Sequence, residues 1–89
     1  MLLSEAQDLN VGDFVVVVHD GPGSAFPLHT MIAQVVRGAA YLLRPNNTFE
    51  WSVQVVFLYD GVTGDVPFHG LRHALPEERQ YWVSRALAL

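Results

Sequence analysis

The chain contains no cysteine and no lysine. Without cysteine there is no disulfide framework, no thiolate metal site and no thiol nucleophile. Without lysine, all side-chain positive charge rests on five arginines, Arg37, Arg44, Arg72, Arg79 and Arg85, and nine acidic residues outweigh them to a formal net charge of −4. A molecule of that sign is repelled by phosphate, and no basic run offsets the repulsion. Long apolar runs are missing as well. None is longer than 14–18, which falls far short of the ~20 residues a membrane helix needs. Met1-Leu2-Leu3 is too brief for the apolar part of a signal peptide, and Glu5 and Asp8 stand where such a segment carries positive charge. These absences lead to the expectation of a cytoplasmic protein with no membrane partner.

What remains is an 89-residue chain, 51% hydrophobic and only 16% charged. That length makes one domain, 1–89, with a core large enough to stand without a metal or disulfide. The apolar surplus reads in two ways, as a valine-heavy core or as an interface with a partner or a second copy.

Turn residues divide the chain. Ser4-Glu5-Ala6-Gln7 has the S-x-x-Q spacing of a capping box, so 1–10 is expected as a single helical turn or a loose arm. Consecutive apolar residues from Phe14 to Val18 predict a first strand over 13–19, covered on both faces or lying against a neighbour. Asp20-Gly21-Pro22-Gly23-Ser24-Ala25-Phe26-Pro27 breaks all regularity and predicts a long loop. A second strand is expected over 30–37, a tight turn at Gly38 and a third strand over 39–44. Pro45-Asn46-Asn47-Thr48 is a turn, because proline presets φ and asparagine tolerates left-handed geometry. From 49 to 59 the alternation is clean, with Phe49, Trp51, Val53, Val55, Phe57 and Tyr59 on the inward face and Glu50, Ser52 and Gln54 opposite. Asp60 to Gly64 closes a hairpin with Gly64 as its left-handed residue, and 65–68 forms the last short strand. A helix follows over 76–89. It has Pro76 in its first turn and Glu77 and Glu78 at its positive dipole end. Trp82, Ala86 and Leu89 form one stripe, beside Val83 and Leu87.

Val11-Gly12-Asp13-x-Val15-x-Val17 resembles the opening strand of small Src-homology-3-like barrels, including KOW and Tudor-type domains. The hairpin at Thr63-Gly64, followed by a helix bearing Glu77, Glu78, Tyr81 and Trp82, resembles small β-barrel proteins of phage genomes. The resemblance implies a mainly β fold, a five-stranded barrel with a C-terminal helix. It also implies a phage or prophage origin, with the host cytoplasm or the assembled virion as location.

Candidate sites follow. His69 and His73 stand four apart, the spacing that puts two imidazoles on one helix face, but Gly70 opposes a helix there and no third ligand is diagnostically spaced. Neither metal nor other cofactor is therefore expected. His19 and His29 flank the long loop, with Asp20 and Asp65 as conceivable oxygen ligands. Neither Ser24 nor Ser52 sits in a nucleophile elbow, and small barrels rarely enclose the pocket that chemistry needs, so no catalytic activity is expected. Gly21-Pro22-Gly23 lacks the Lys and Ser/Thr of a phosphate loop. Arg37, Tyr41 and Arg44 are the nearest approach to a nucleic-acid face of aromatics interleaved with cations. Phe26, Pro27 and Leu28 at a loop tip, with Trp82 and Leu87 on the last helix, supply anchors for a protein partner. The expected function is a non-enzymatic protein–protein interaction module, a virion accessory or assembly subunit or an inhibitor docking on a host protein. The alternative is a KOW-like nucleic-acid-binding barrel.

Overall fold

A computed structural model describes residues 1–18 and 31–88, with the side chains of all of these except Val83 and 86–88. Five antiparallel strands form one sheet, with a short helix before it and a longer one after it. In chain order these are α1 (Leu3–Gln7), β1 (Phe14–Val17), β2 (Ile32–Leu43), β3 (Phe49–Phe57), β4 (Thr63–Pro67), a 3₁₀ turn (Phe68–Gly70), β5 (Leu71–His73) and α2 (Pro76–Ala88). The sheet order is β4-β3-β2-β1-β5. Its two edge strands, β4 and β5, are separated in the chain only by the 3₁₀ turn. Each nevertheless pairs inward, with β3 and β1, and no ladder joins them to each other among the described residues.

The registers assign the two faces. Val15 lies opposite Ala33, Val35 opposite Val55, Val53 opposite Val66, and Val17 opposite Leu71. This face carries the core: Val15, Ala33, Val35, Val53, Val55 and Leu71 are all buried, together with Ala6 of α1 and Leu9. Phe68 of the 3₁₀ turn packs against the same cluster, as does Met1. The Met1 ammonium also donates to the Leu71 carbonyl at 2.9 Å. The other face mixes polar and apolar side chains, and at the β1 end it buries Val16 and Ile32. Burial on both faces is what the unbroken run in β1 implied.

Several expectations are corrected. Gly38 is not a tight turn. The segments expected as separate second and third strands are one strand, β2, with register irregularities between Val35 and Arg37 and between Arg37 and Ala40. Both halves pair with β3, so they cannot pair with each other, and the glycine marks an irregularity within a strand. The count of five strands is kept by β5, Leu71–His73, a three-residue strand that no periodicity or turn signal marks. In the β3–β4 hairpin the left-handed residue is Gly61, at φ 74°, rather than Gly64, which lies within β4. There Gly61 N donates to Phe57 O and Phe57 N to Val62 O, and a side chain at Gly61 would be strained. Asn47 does adopt the left-handed geometry expected of it, at φ 66°.

Ser4 is not the cap of α1. The N-cap is Leu2, whose N–H donates to the Glu5 carboxylate at 3.0 Å. The start of α2 repeats the arrangement: Leu75 N donates to Glu78 Oε1 at 2.8 Å, and Glu78 N donates back to Leu75 O. Both helices thus begin Leu-x-x-Glu. The glutamate of a capping box works in each without its serine, because the carboxylate alone satisfies the N-cap donor.

Candidate interaction surface

β2 and β3 outrun their neighbours. β1 pairs with β2 only from Ile32 to Gln34, and β4 pairs with β3 only from Ser52 to Val56. Beyond those limits the hairpin continues, among the described residues, as two strands alone, with Tyr41 opposite Trp51, Leu42 opposite Glu50 and Leu43 opposite Phe49. Strand alternation carries the core face of β3 outward, through Val55 and Val53 to Trp51 and Phe49. The arm therefore has an apolar face with no other element of the described chain paired beside it. Tyr41 and Leu43 are each 57% exposed and Phe49 is 55% exposed. The rings hold one another: Tyr41 stacks on Phe49 with centroids 5.3 Å apart and leans on Trp51 at 5.6 Å. Cross-strand aromatic pairs of this kind contribute ~0.2–1 kcal/mol each, and they keep the apolar face in one shape.

Alternation alone puts the whole aromatic row of β3 inward. The inner half is buried, but the outer half is a surface. Periodicity assigns residues to a face, and it contains no information on how far the covering elements reach. Tyr59, expected at the inner end of the same row, lies beyond the end of β3 and is exposed.

On the opposite face of the arm the charges are internally matched. Arg37 Nη2 bonds Asp65 Oδ1 at 2.6 Å, across the intervening Gln54 row. Arg44 reaches back from the tip, donating to the Asp65 carbonyl at 3.3 Å with its Nε 3.7 Å from the Glu50 carboxylate. Arg37 and Arg44 therefore lie on the face away from Tyr41, and both are engaged with acidic residues. The three residues expected to act together on nucleic acid are split between two faces. Ser52 is fully buried in this region, and its Oγ has no hydrogen-bond partner among the described residues. Among the described residues no base is bonded to it.

The remaining candidates fall as follows. Phe26, Pro27 and Leu28 lie outside the described residues, as do His19, Asp20, Gly21-Pro22-Gly23, Ser24 and His29. Trp82 is half-buried on α2 and meets Tyr81 edge-on at 5.8 Å. The exposed ring of that helix is Tyr81, with the Arg85 guanidinium 5.0 Å from its centroid. Leu87 belongs to α2, and its side chain lies outside the described part. His69 sits in the 3₁₀ turn beside Phe68, and His73 ends β5 with its Nε2 3.5 Å from the Glu5 carboxylate. The four-residue spacing of these histidines is thus not a helical one. No group of three or more potential metal ligands forms among the described residues. No helix of the described chain is long and apolar enough to cross a membrane.

One ion pair is built more tightly than the rest. Arg72 on β5 grips Glu78 on α2 through two parallel bonds of 2.8 Å, Nη1 to Oε1 and Nη2 to Oε2. Glu78 is buried. The hydrogen bonds from Arg72 hold its carboxyl below the ordinary carboxylate value, overcoming the opposing effect of burial, and the Leu75 N–H adds to them. The same pairing raises the already high Arg72 value. The position is structural: it clamps the start of α2 to the edge strand. No protein-family model, curated protein or solved structure matches the chain.

Proposed function

We propose that this chain is a protein–protein interaction module without catalysis of its own, built on a small Src-homology-3-like barrel and encoded by a phage or prophage. The observation that carries the reading is the exposed face of the β2–β3 arm, where Tyr41, Leu43 and Phe49 stand out beside Trp51. A contiguous, pre-shaped aromatic patch at the end of a domain is a binding surface rather than stray exposure. The sheet order β4-β3-β2-β1-β5, with a 3₁₀ turn before the last strand, supports the barrel type. A virion accessory or assembly subunit and an inhibitor docking on a host protein both use such a surface.

The KOW-like nucleic-acid reading has less behind it. It needs free cations beside the aromatics, whereas Arg37 and Arg44 face away and are paired with Asp65 and Glu50. The two readings separate in one experiment. Immobilised wild-type chain and a Tyr41→Ser/Phe49→Ser variant are compared for protein retained from extract and for binding of single-stranded polynucleotide across a salt series. The expected result is a protein partner lost tenfold or more in the variant. Polynucleotide binding that weakens steeply with salt and is lost in Arg37→Gln would overturn the proposal.

A further inference from the structure

We infer that the open edge of the β2 arm pairs with the same edge of a second copy of this chain, continuing the sheet across a two-fold axis near Tyr41. The inference rests on the interaction-module reading and names its partner. β2 is bonded to β3 along one side. On its other side β1 ends its pairing at Gln34, and the last bonds are those of Val35 with Gly12 and Asp13. From Gly38 to Leu43 no hydrogen bond reaches that side among the described residues. Arg44 N donates to Thr48 O, so by antiparallel alternation Leu42 is bonded to Glu50, while Tyr41 and Leu43 turn their N–H and C=O toward the open side. A bare antiparallel edge is complementary to itself, because a two-fold axis lays the donors of one copy against the acceptors of the other.

Three features select a second copy as the occupant. The segment Gly38-Ala39-Ala40-Tyr41-Leu42-Leu43 contains no charge and no proline, the devices with which edge strands ordinarily prevent pairing. Each copy carries a net charge of −4, so contact is least opposed where charge is absent or already matched. The arm is such a place, with Asp65 holding Arg37 and Glu50 beside Arg44. Finally, a two-stranded ribbon is marginal alone in water, whereas pairing makes it four strands wide. Tyr41 and Leu43 of the two copies then meet on one continuous apolar face.

The test is the solution mass of the full chain by light scattering and sedimentation over a wide concentration range. The expected mass rises toward twice that of the monomer. Leu43→Pro removes an outward N–H that the β2–β3 ladder does not use, so it should hold the chain monomeric with its circular dichroism unchanged. Because a strand proline can itself unfold the arm, Tyr41→Lys serves as the second variant, with the same expected result. Amide exchange supplies an independent reading, in which Tyr41 and Leu43, whose N–H groups the β2–β3 ladder leaves unbonded, gain protection as concentration rises. A monomer at every concentration overturns the inference, including the case in which an extended peptide of another protein takes the edge. So does a dimer that persists in both folded variants. Either result leaves the interaction-module reading to its own test, since the Tyr41→Ser/Phe49→Ser comparison asks only whether the aromatic face retains a partner.

Discussion

Asp65 organises the polar face of the arm, its carboxylate on Arg37 and its main-chain carbonyl on Arg44. The Arg37–Asp65 pair is partly exposed, with side chains 40% and 35% accessible, so solvent and salt screen it. Asp65→Asn should therefore cost only ~0.5 kcal/mol in urea unfolding. It should also free a guanidinium, so the variant is expected to show more salt-sensitive affinity for polyanions than the wild type. Ser52 presents the opposite case. Its hydroxyl is buried without a partner among the described residues, so it bears a desolvation cost with no bond in return from them. Ser52→Ala should leave stability unchanged or raise it by up to ~1 kcal/mol. A loss beyond ~1 kcal/mol, on the scale of an ordinary net hydrogen bond, would mean that the hydroxyl has a partner after all.

Among the elements, α2 is the most instructive, because its start depends on one side chain. Glu78 accepts from Leu75 N and from both Arg72 terminal nitrogens, closing the N-cap and joining helix to sheet together. Glu78→Gln keeps an acceptor for Leu75 but loses the charged bonds, and should cost ~1–2 kcal/mol in urea unfolding. The folded-state pKa of Glu78 is lowered, so its stabilisation is complete above the ordinary carboxylate value of 4.5 and is lost as pH falls through the lower folded value. The stability gap between wild type and Glu78→Gln should accordingly be flat near neutrality and close in acid. A gap that persists unchanged below the carboxylate range would show that the ion pair is not its source. Residue pattern made some elements legible and hid others. Val-rich β1, the alternating β3 and the Pro45–Thr48 turn can be read because their signals are local. Gly38 misled, because a glycine in a strand irregularity and one in a tight turn look alike until pairing partners are known. β5 escaped because three residues carry no periodicity, and its ladder with β1 is a contact between distant segments. At the candidate surface, alternation put Tyr41, Phe49 and Trp51 within reach of a reader, but only the lengths of β1 and β4 reveal that the outer rings are left uncovered.

At the scale of the molecule, packing is unevenly distributed along a single sheet. The inner region is packed on its core face by α1, Leu9 and Phe68, and there Val15, Val35, Val53, Val55 and Leu71 are all but inaccessible to water. Among the described residues the arm beyond Ala40 and Ser52 has no third strand, and its support on the apolar face is one cluster of rings. Local opening free energies fall where buried contacts are few and backbone bonds face solvent. In dilute solution the ladder amides of the arm, Leu42 and Glu50, should exchange by local opening, with protection ~2 kcal/mol or more below that of the core strands. Those of Val35 and Val55 should exchange only with global unfolding. Trp51→Phe should speed the arm selectively, since it removes part of the ring cluster while leaving the core untouched. If the arm and the core exchanged at one common rate, the arm would belong to the same cooperative unit as the core. Its exposed rings would then be held by something other than each other. An independently opening arm has a consequence for binding: a partner that covers it gains by ordering it, and affinity then tracks the stability of the hairpin as much as the chemistry of its face.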